Sequence, residues 1–208
     1  MKEIKNIVLD LDQTLISGEE YSKFVKGHKN FSKQFYNRDK QVNLKSCEMD
    51  EDYIVYERPG LQKFLDWLFK NFNVSVWTAA SKSYGLHIIE NIVLQKDNRS
   101  LDFAFFSYHC DISQKHTDNT KDLSMLWNRF DFNGYNENNT IIIDDYDEVY
   151  KTHPNNCIPI KKFNFIDNDC ESDNELNIIR EKLEKICEWG IKNDGDCKKK
   201  PGPKSYNQ

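Results

Sequence analysis

No stretch of this 208-residue chain is a long apolar run. A membrane-spanning helix needs roughly 20 consecutive apolar residues, so no membrane span is expected. The only early apolar stretch, Ile7-Val8-Leu9, is interrupted at once by Asp10 and Asp12. That leaves no core for a signal peptide, and the protein is expected inside the cell, nuclear or cytoplasmic, and not secreted. No Cys-x-x-Cys pair occurs among the six cysteines, Cys47, Cys110, Cys157, Cys170, Cys187 and Cys197. Free thiols in a reducing compartment are therefore the expectation. His109, Cys110 and His116 lie close together, but their spacing fits no zinc pattern. No internal repeat is visible. Excess positive charge is lacking too: the formal net charge is -5, so the chain as a whole is no polyanion binder and nucleic acid is not expected as a partner.

What is present suffices for one domain of ordinary size. Hydrophobic residues make up 38% and aromatics 13%, and the mean hydropathy of -0.79 reflects Asn and charged residues rather than a shortage of core formers. A single domain is expected over 1–192. A disordered basic tail is expected over 193–208, where Lys198-Lys199-Lys200-Pro201-Gly202-Pro203-Lys204 shows no hydrophobic face.

Ile7-Val8-Leu9 reads as a short strand buried on both faces, as in a parallel sheet. Asp10 stands at its carboxyl end, where reactive groups of open α/β sheets collect. Asp12 follows two residues on and shares its face if the chain stays extended. Two carboxylates in one site repel and need a cation or a shared proton. They fit a nucleophile that attacks phosphorus and an acid/base that serves the leaving oxygen and then water. They also fit an Asx-type turn with Thr14 as a cap.

Thr140-Ile141-Ile142-Ile143 is a second buried strand, and it too ends in acids, Asp144 and Asp145. Two parallel strands that both end in paired carboxylates point to a metal site, and hard oxygen ligands beside a phosphate suit Mg2+. A further strand, Val74 to Trp77, ends at Thr78-Ala79-Ala80-Ser81. This run serves either as a phosphate cradle or as an ordinary helix cap. Lys121 precedes a helix bearing Leu123, Leu126, Trp127 and Phe130; it is a surface charge unless the sheet carries it to Asp10.

The spacing predicts helices over 61–69, after Arg58-Pro59-Gly60 with Pro59 in the first turn, over 84–94 and over 173–191. Strands are expected over 53–56 and 101–106, a polar loop over 109–120, and a turn with a short strand over 153–160. Residues 18–57 form an insert without a sustained period. It is rich in aromatics, with Lys23, Lys26, Lys29, Lys33, Arg38, Lys40 and Lys45 against Asp39 alone between Tyr21 and Ser46. It is either a solvated excursion, a hairpin or short helix, or a lip that attracts an anionic partner.

Asp10-Leu11-Asp12-Gln13-Thr14-Leu15, Thr78, Lys121 and Asp144-Asp145 resemble, in order, the four motifs of the haloacid dehalogenase superfamily. Arg58-Pro59, Trp77-Thr78-Ala79, Lys121-Asp122-Leu123-Ser124 and His153-Pro154-Asn155-Asn156 resemble signatures of the RNA polymerase II C-terminal-domain phosphatases and the NLI-interacting-factor-like group. The resemblance spans about residues 3–190. It implies a Rossmann-like α/β fold with a central parallel sheet flanked by helices and a small insert between the first two motifs. It implies Asp10 as nucleophile, Asp12 as general acid/base, and Thr14, Thr78, Ala79 and Lys121 around the phosphate. It also implies Mg2+ held by Asp10, the Asp12 carbonyl and Asp145, with Asp144 in support. The implied substrate is phosphoserine or phosphothreonine of a protein or peptide. The chain departs from the group where Asp145 replaces the usual Asn, where Tyr146-Asp147 replaces Ser-Pro, and in the insert, which leaves the substrate's identity open. A small-molecule phosphatase of the same fold, or a non-catalytic phosphoprotein-binding module, are the alternatives.

Overall fold

The computed structural model describes residues 3–194. In chain order the strands are β1 (Asn6–Leu9), β2 (Ile16–Glu20), β3 (Ser46–Met49), β4 (Tyr53–Glu57), β5 (Asn73–Trp77), β6 (Leu101–Phe105), β7 (Thr140–Asp144) and β8 (Cys157–Pro159). The helices are α1 (Lys33–Gln41), α2 (Leu61–Asn71), α3 (Lys82–Ile88), α4 (Ser107–Thr117), α5 (Ser124–Asn128), α6 (Asp147–Thr152) and α7 (Glu175–Asp194). The basic tail expected over 193–208 lies, beyond Asp194, outside the described residues, as does Cys197.

β1 is the middle strand of a five-stranded parallel sheet in the order β6-β5-β1-β7-β8. All four of its residues are buried, because helices cover both faces. Ile7 and Leu9 point to one face and join Val74, Val76, Ile141 and Ile143 in a core with Leu61, Phe64, Leu65 and Leu68 of α2 and Leu176, Ile179 and Leu183 of α7. Val8 points the other way and joins Trp77, Phe105 and Ile142 against Cys110 of α4, Met125 and Leu126 of α5 and Val149 of α6. The alternation is the two-residue period of a strand, and it produces a three-layer α/β/α arrangement.

The insert is a hairpin and a helix together. β2, β4 and β3 form a separate antiparallel sheet in that order. α1 is capped by Ser32, whose side chain accepts the Phe35 N–H. Phe24, Ile54, Tyr56 and Phe165 make a small core of their own, with Phe35 packed against it. The Tyr56 and Phe165 rings stack with centroids 4.2 Å apart. Phe165 follows β8, so it pins the insert to the body.

Three local expectations are corrected. The polar run 109–120 is largely helix, since α4 covers Ser107–Thr117. Its inward residues are His109, Cys110 and Ser113, too polar to show a hydrophobic period. Pro59 does not enter the first turn of α2. Gly60 is the N-cap, with a φ of 79° that favours glycine, and Pro59 precedes it. The helix expected over 84–94 starts earlier, as α3, and continues as a π-helical turn over Ile89–Val93.

Candidate active site

Register builds the site. Leu9 pairs with Val76 on one side and with Ile143 on the other. One step further along, Asp10 is level with Trp77 and Asp144, and Thr78 and Asp145 follow at the same edge. The carboxyl ends of three adjacent strands therefore deliver the residues expected from three separate motifs.

The chain turns back directly after β1. Gln13 has a φ of 61°, a conformation non-glycine residues seldom adopt and one that gathers at functional turns. The turn is held by Gln13 N–H donating to Ile16 O at 2.7 Å, Leu15 N–H to Leu11 O at 2.8 Å, and Phe163 N–H to Gln13 O at 2.7 Å. Below it, the fully buried Arg58 guanidinium donates to Thr14 O at 2.8 Å, to Lys161 O at 2.7 Å and to both Asp173 oxygens at 2.8 Å.

Lys121 reaches the centre from the segment after α4. Its Nζ donates to Asp10 Oδ1 at 2.6 Å and to Asp144 Oδ2 at 2.7 Å. The approach is fixed locally. Ser113 Oγ donates to Asn119 O at 2.6 Å and accepts the Asp122 N–H at 2.9 Å, and His153 Nε2 accepts the Leu123 N–H at 2.9 Å. The same ring nitrogen lies 3.3 Å from Asp122 Oδ1. A nitrogen that accepts the backbone N–H has no proton for a carboxylate, so the shorter backbone bond is the one made. Burial disfavours a charged Lys121, yet Asp10 and Asp144 outweigh it and hold its pKa above the ordinary value.

Asp10, Asp144 and Asp145 each offer a carboxylate oxygen, and these lie within 4.8 Å of one another. Burial, then the Asp10 charge, pushes Asp144 up to about 7 and raises Asp145. Three carboxylates crowd one buried ammonium, with Lys162 3.6 Å from Asp145 at the exposed rim. Excess negative charge on hard oxygen donors is the chemistry of a divalent-cation site, so the donor set fits a metal.

Asp12 stands beside this cluster. Its Oδ1 accepts the Tyr84 O–H at 2.8 Å. Burial raises its pKa to about 6, against the lowering effect of that bond. Burial and Asp12 raise the Tyr84 phenol above its ordinary range, so it remains a donor. Thr14 is fully buried and its hydroxyl donates to Asp145 Oδ1 at 3.0 Å. Thr78 is buried, its N–H donates to Phe105 O at 2.9 Å, and its Oγ1 accepts the Ala80 N–H at 3.1 Å. That leaves the hydroxyl proton for another acceptor. Ala79 is exposed at the edge. Two thiols flank the site: Cys110 Sγ donates to Thr78 O at 3.7 Å, and Cys157 sits near Asp144. Burial raises the Cys110 thiol and pushes Cys157 up to about 12.

Tyr84 and Arg58 are the functional neighbours that residue chemistry alone did not single out. Arg58 carried a signal, as part of a family signature; Tyr84 stood only as the start of a helix.

The family model described as NLI interacting factor-like phosphatase matches residues 5–194. A CTD phosphatase-like protein 355R of Invertebrate iridescent virus 6 is 40% identical over 184 residues, covering 86% of this chain and 97% of that protein. Its namesake in Invertebrate iridescent virus 3 is 34% identical over 189 residues, covering 86% and 95%. Among solved structures, Fcp1, an essential RNA polymerase II CTD phosphatase, superposes with a TM-score of 0.51 at 17% identity, covering 96% of this chain and 56% of that one.

Proposed function

The chain belongs to the NLI interacting factor-like phosphatase family, and we propose that it is a Mg2+-dependent phosphatase that forms an aspartyl-phosphate and acts on phosphoserine or phosphothreonine of a protein. Its fold is the Rossmann-like α/β fold of the haloacid dehalogenase type, a central parallel sheet flanked by helices. The observation that carries the proposal is the Lys121 ammonium bound to Asp10 and Asp144, which draws the first, third and fourth motifs into one buried centre.

In this reading an Asp10 oxygen attacks phosphorus as the ester P–O bond breaks, and Asp12 gives its proton to the departing oxygen. Asp12 then takes a proton from water as that water displaces phosphate from Asp10. A pKa of about 6 suits a group that must give and then take a proton near neutrality. Lys121, the Thr78 hydroxyl and the Ala79 N–H hold the equatorial phosphoryl oxygens, where positioned positive charge contributes most to phosphoryl transfer. Thr14 and Lys162 steady Asp145. Asp10, Asp145 and the Asp12 carbonyl would hold the metal, with Asp144 in support, and the ion would supply further positive charge beside the phosphate. A protein substrate is supported by the relatives' descriptions and by the modest size of the 18–57 insert.

The test is hydrolysis of a chromogenic aryl phosphate by the wild type and by Asp10→Asn, each with Mg2+ and with EDTA. The expected result is turnover by the wild type with Mg2+ only. Equal activity in EDTA, or an active Asp10→Asn, would overturn the mechanism. Turnover of a sugar phosphate with phosphopeptides left untouched would overturn the substrate class.

A further inference from the structure

Tyr84 lies 72 positions from Asp12 in sequence, yet its hydroxyl donates to Asp12 Oδ1 at 2.8 Å. The tyrosine is held from several sides. Its backbone N–H donates to Ser81 Oγ at 3.4 Å, the cap of α3. Its ring meets Tyr53 of the insert edge-on, with centroids 5.1 Å apart. Over the hydroxyl lies Gly18 of β2, where a Cβ would come within 2.2 Å of Tyr84 Oη. The bare glycine backbone thus makes the space that lets the phenol reach the acid.

An unrestrained aspartate carboxyl turns readily about its last torsion, which is broad and two-fold. With Oδ1 tied to Tyr84, Oδ2 is the oxygen left to meet the leaving group. We infer that Tyr84 is the positioning residue for the Asp12 acid, and that Gly18 of the insert is kept side-chain-free to admit it. This rests on the aspartyl-phosphate reading, in which Asp12 protonates the departing oxygen. The insert therefore reaches the chemistry itself.

Proton donation matters in proportion to how poor the leaving group is. Tyr84→Phe removes one hydroxyl and keeps the ring, and kcat/KM, which reports formation of the aspartyl-phosphate, is the quantity to follow. The variant is expected to lose ~10-fold on a phosphoserine peptide, part of the factor of about 10²–10⁴ typical for a general acid. On p-nitrophenyl phosphate, whose leaving group needs little help, the loss is expected to stay below ~2-fold. Gly18→Ala, which pushes the phenol aside, should reproduce this split. In an Asp12→Asn background, Tyr84→Phe should cost nothing further, because the two act as a unit.

A Tyr84→Phe protein that loses equally on both substrates, or whose loss adds in full to that of Asp12→Asn, has a merely structural tyrosine, and the inference falls. If Asp12→Asn itself loses equally on both substrates, it is the acid role of Asp12 that fails. A steep leaving-group dependence in Asp12→Asn with none in Tyr84→Phe overturns the Tyr84 role alone.

Discussion

Asp12 holds its proton to about pH 6 because it is buried beside other carboxylates. A carboxyl whose pKa is raised on folding binds its proton more tightly in the native state. Stability therefore falls as pH rises from the unfolded value near 4 to about 6, and the deficit is complete above that. At about 1.36 kcal/mol per pKa unit, the cost is ~3 kcal/mol at most. Asp12→Asn should remove it: urea denaturation in EDTA at pH 8 is expected to show a more stable variant, by ~1–3 kcal/mol, with the gain absent at pH 4. Equal stabilisation at both pH values would mean that the ionisation of Asp12 is not its source. Asp10, Asp12, Lys121, Asp144 and Asp145 were legible in the sequence because four of them end strands or follow them directly, and family spacing supplied the fifth. Tyr84 was not. Its partner lies in another element, and the glycine that admits it has no local pattern to announce it.

Among the elements, the join between the Asp12 turn, α2 and α7 depends on Arg58. Its buried guanidinium serves Thr14 O, Lys161 O and the Asp173 carboxylate, and its carbon centre lies 5.4 Å from the Phe163 ring centroid. Arg58→Ala would leave a partly buried carboxylate and two carbonyls without this donor, a loss of about 3–5 kcal/mol. Asp173→Asn keeps an acceptor and should lose ~1–2 kcal/mol. Equilibrium denaturation separates the two; a near-neutral Arg58→Ala would show that water satisfies those groups. The strands of the parallel sheet and the long amphipathic helices could be read from periodicity. α4 could not, because its inward face is imidazole, thiol and hydroxyl. There His109 Nδ1 accepts the Phe106 N–H at 3.0 Å and its ring stacks on Phe105 with centroids 4.0 Å apart. Burial lowers the His109 pKa, in keeping with a neutral ring that accepts that bond.

At the scale of the molecule, strand order decides what sequence could only leave conditional. β7 pairs with β1 and so sets Asp144 beside Asp10, and the segment after α4 carries Lys121 to both carboxylates. A hairpin was one of the readings that the insert left open, but its attachment through Phe165 depends on chain that arrives after β8. The core beneath α4, α5 and α6 encloses both thiols beside the site, Cys110 and Cys157, and burial raises their pKa values. Oxidants attack thiolates, and a thiol held protonated is a poor target. Treatment with hydrogen peroxide is expected to leave aryl-phosphate turnover unchanged and to add no oxygen to either cysteine by mass spectrometry; inactivation with oxygen on Cys110 or Cys157 would contradict this. An enzyme that attacks with a carboxylate and keeps its nearby sulfur protonated would go on working through an oxidative burst that silences phosphatases whose nucleophile is a thiolate.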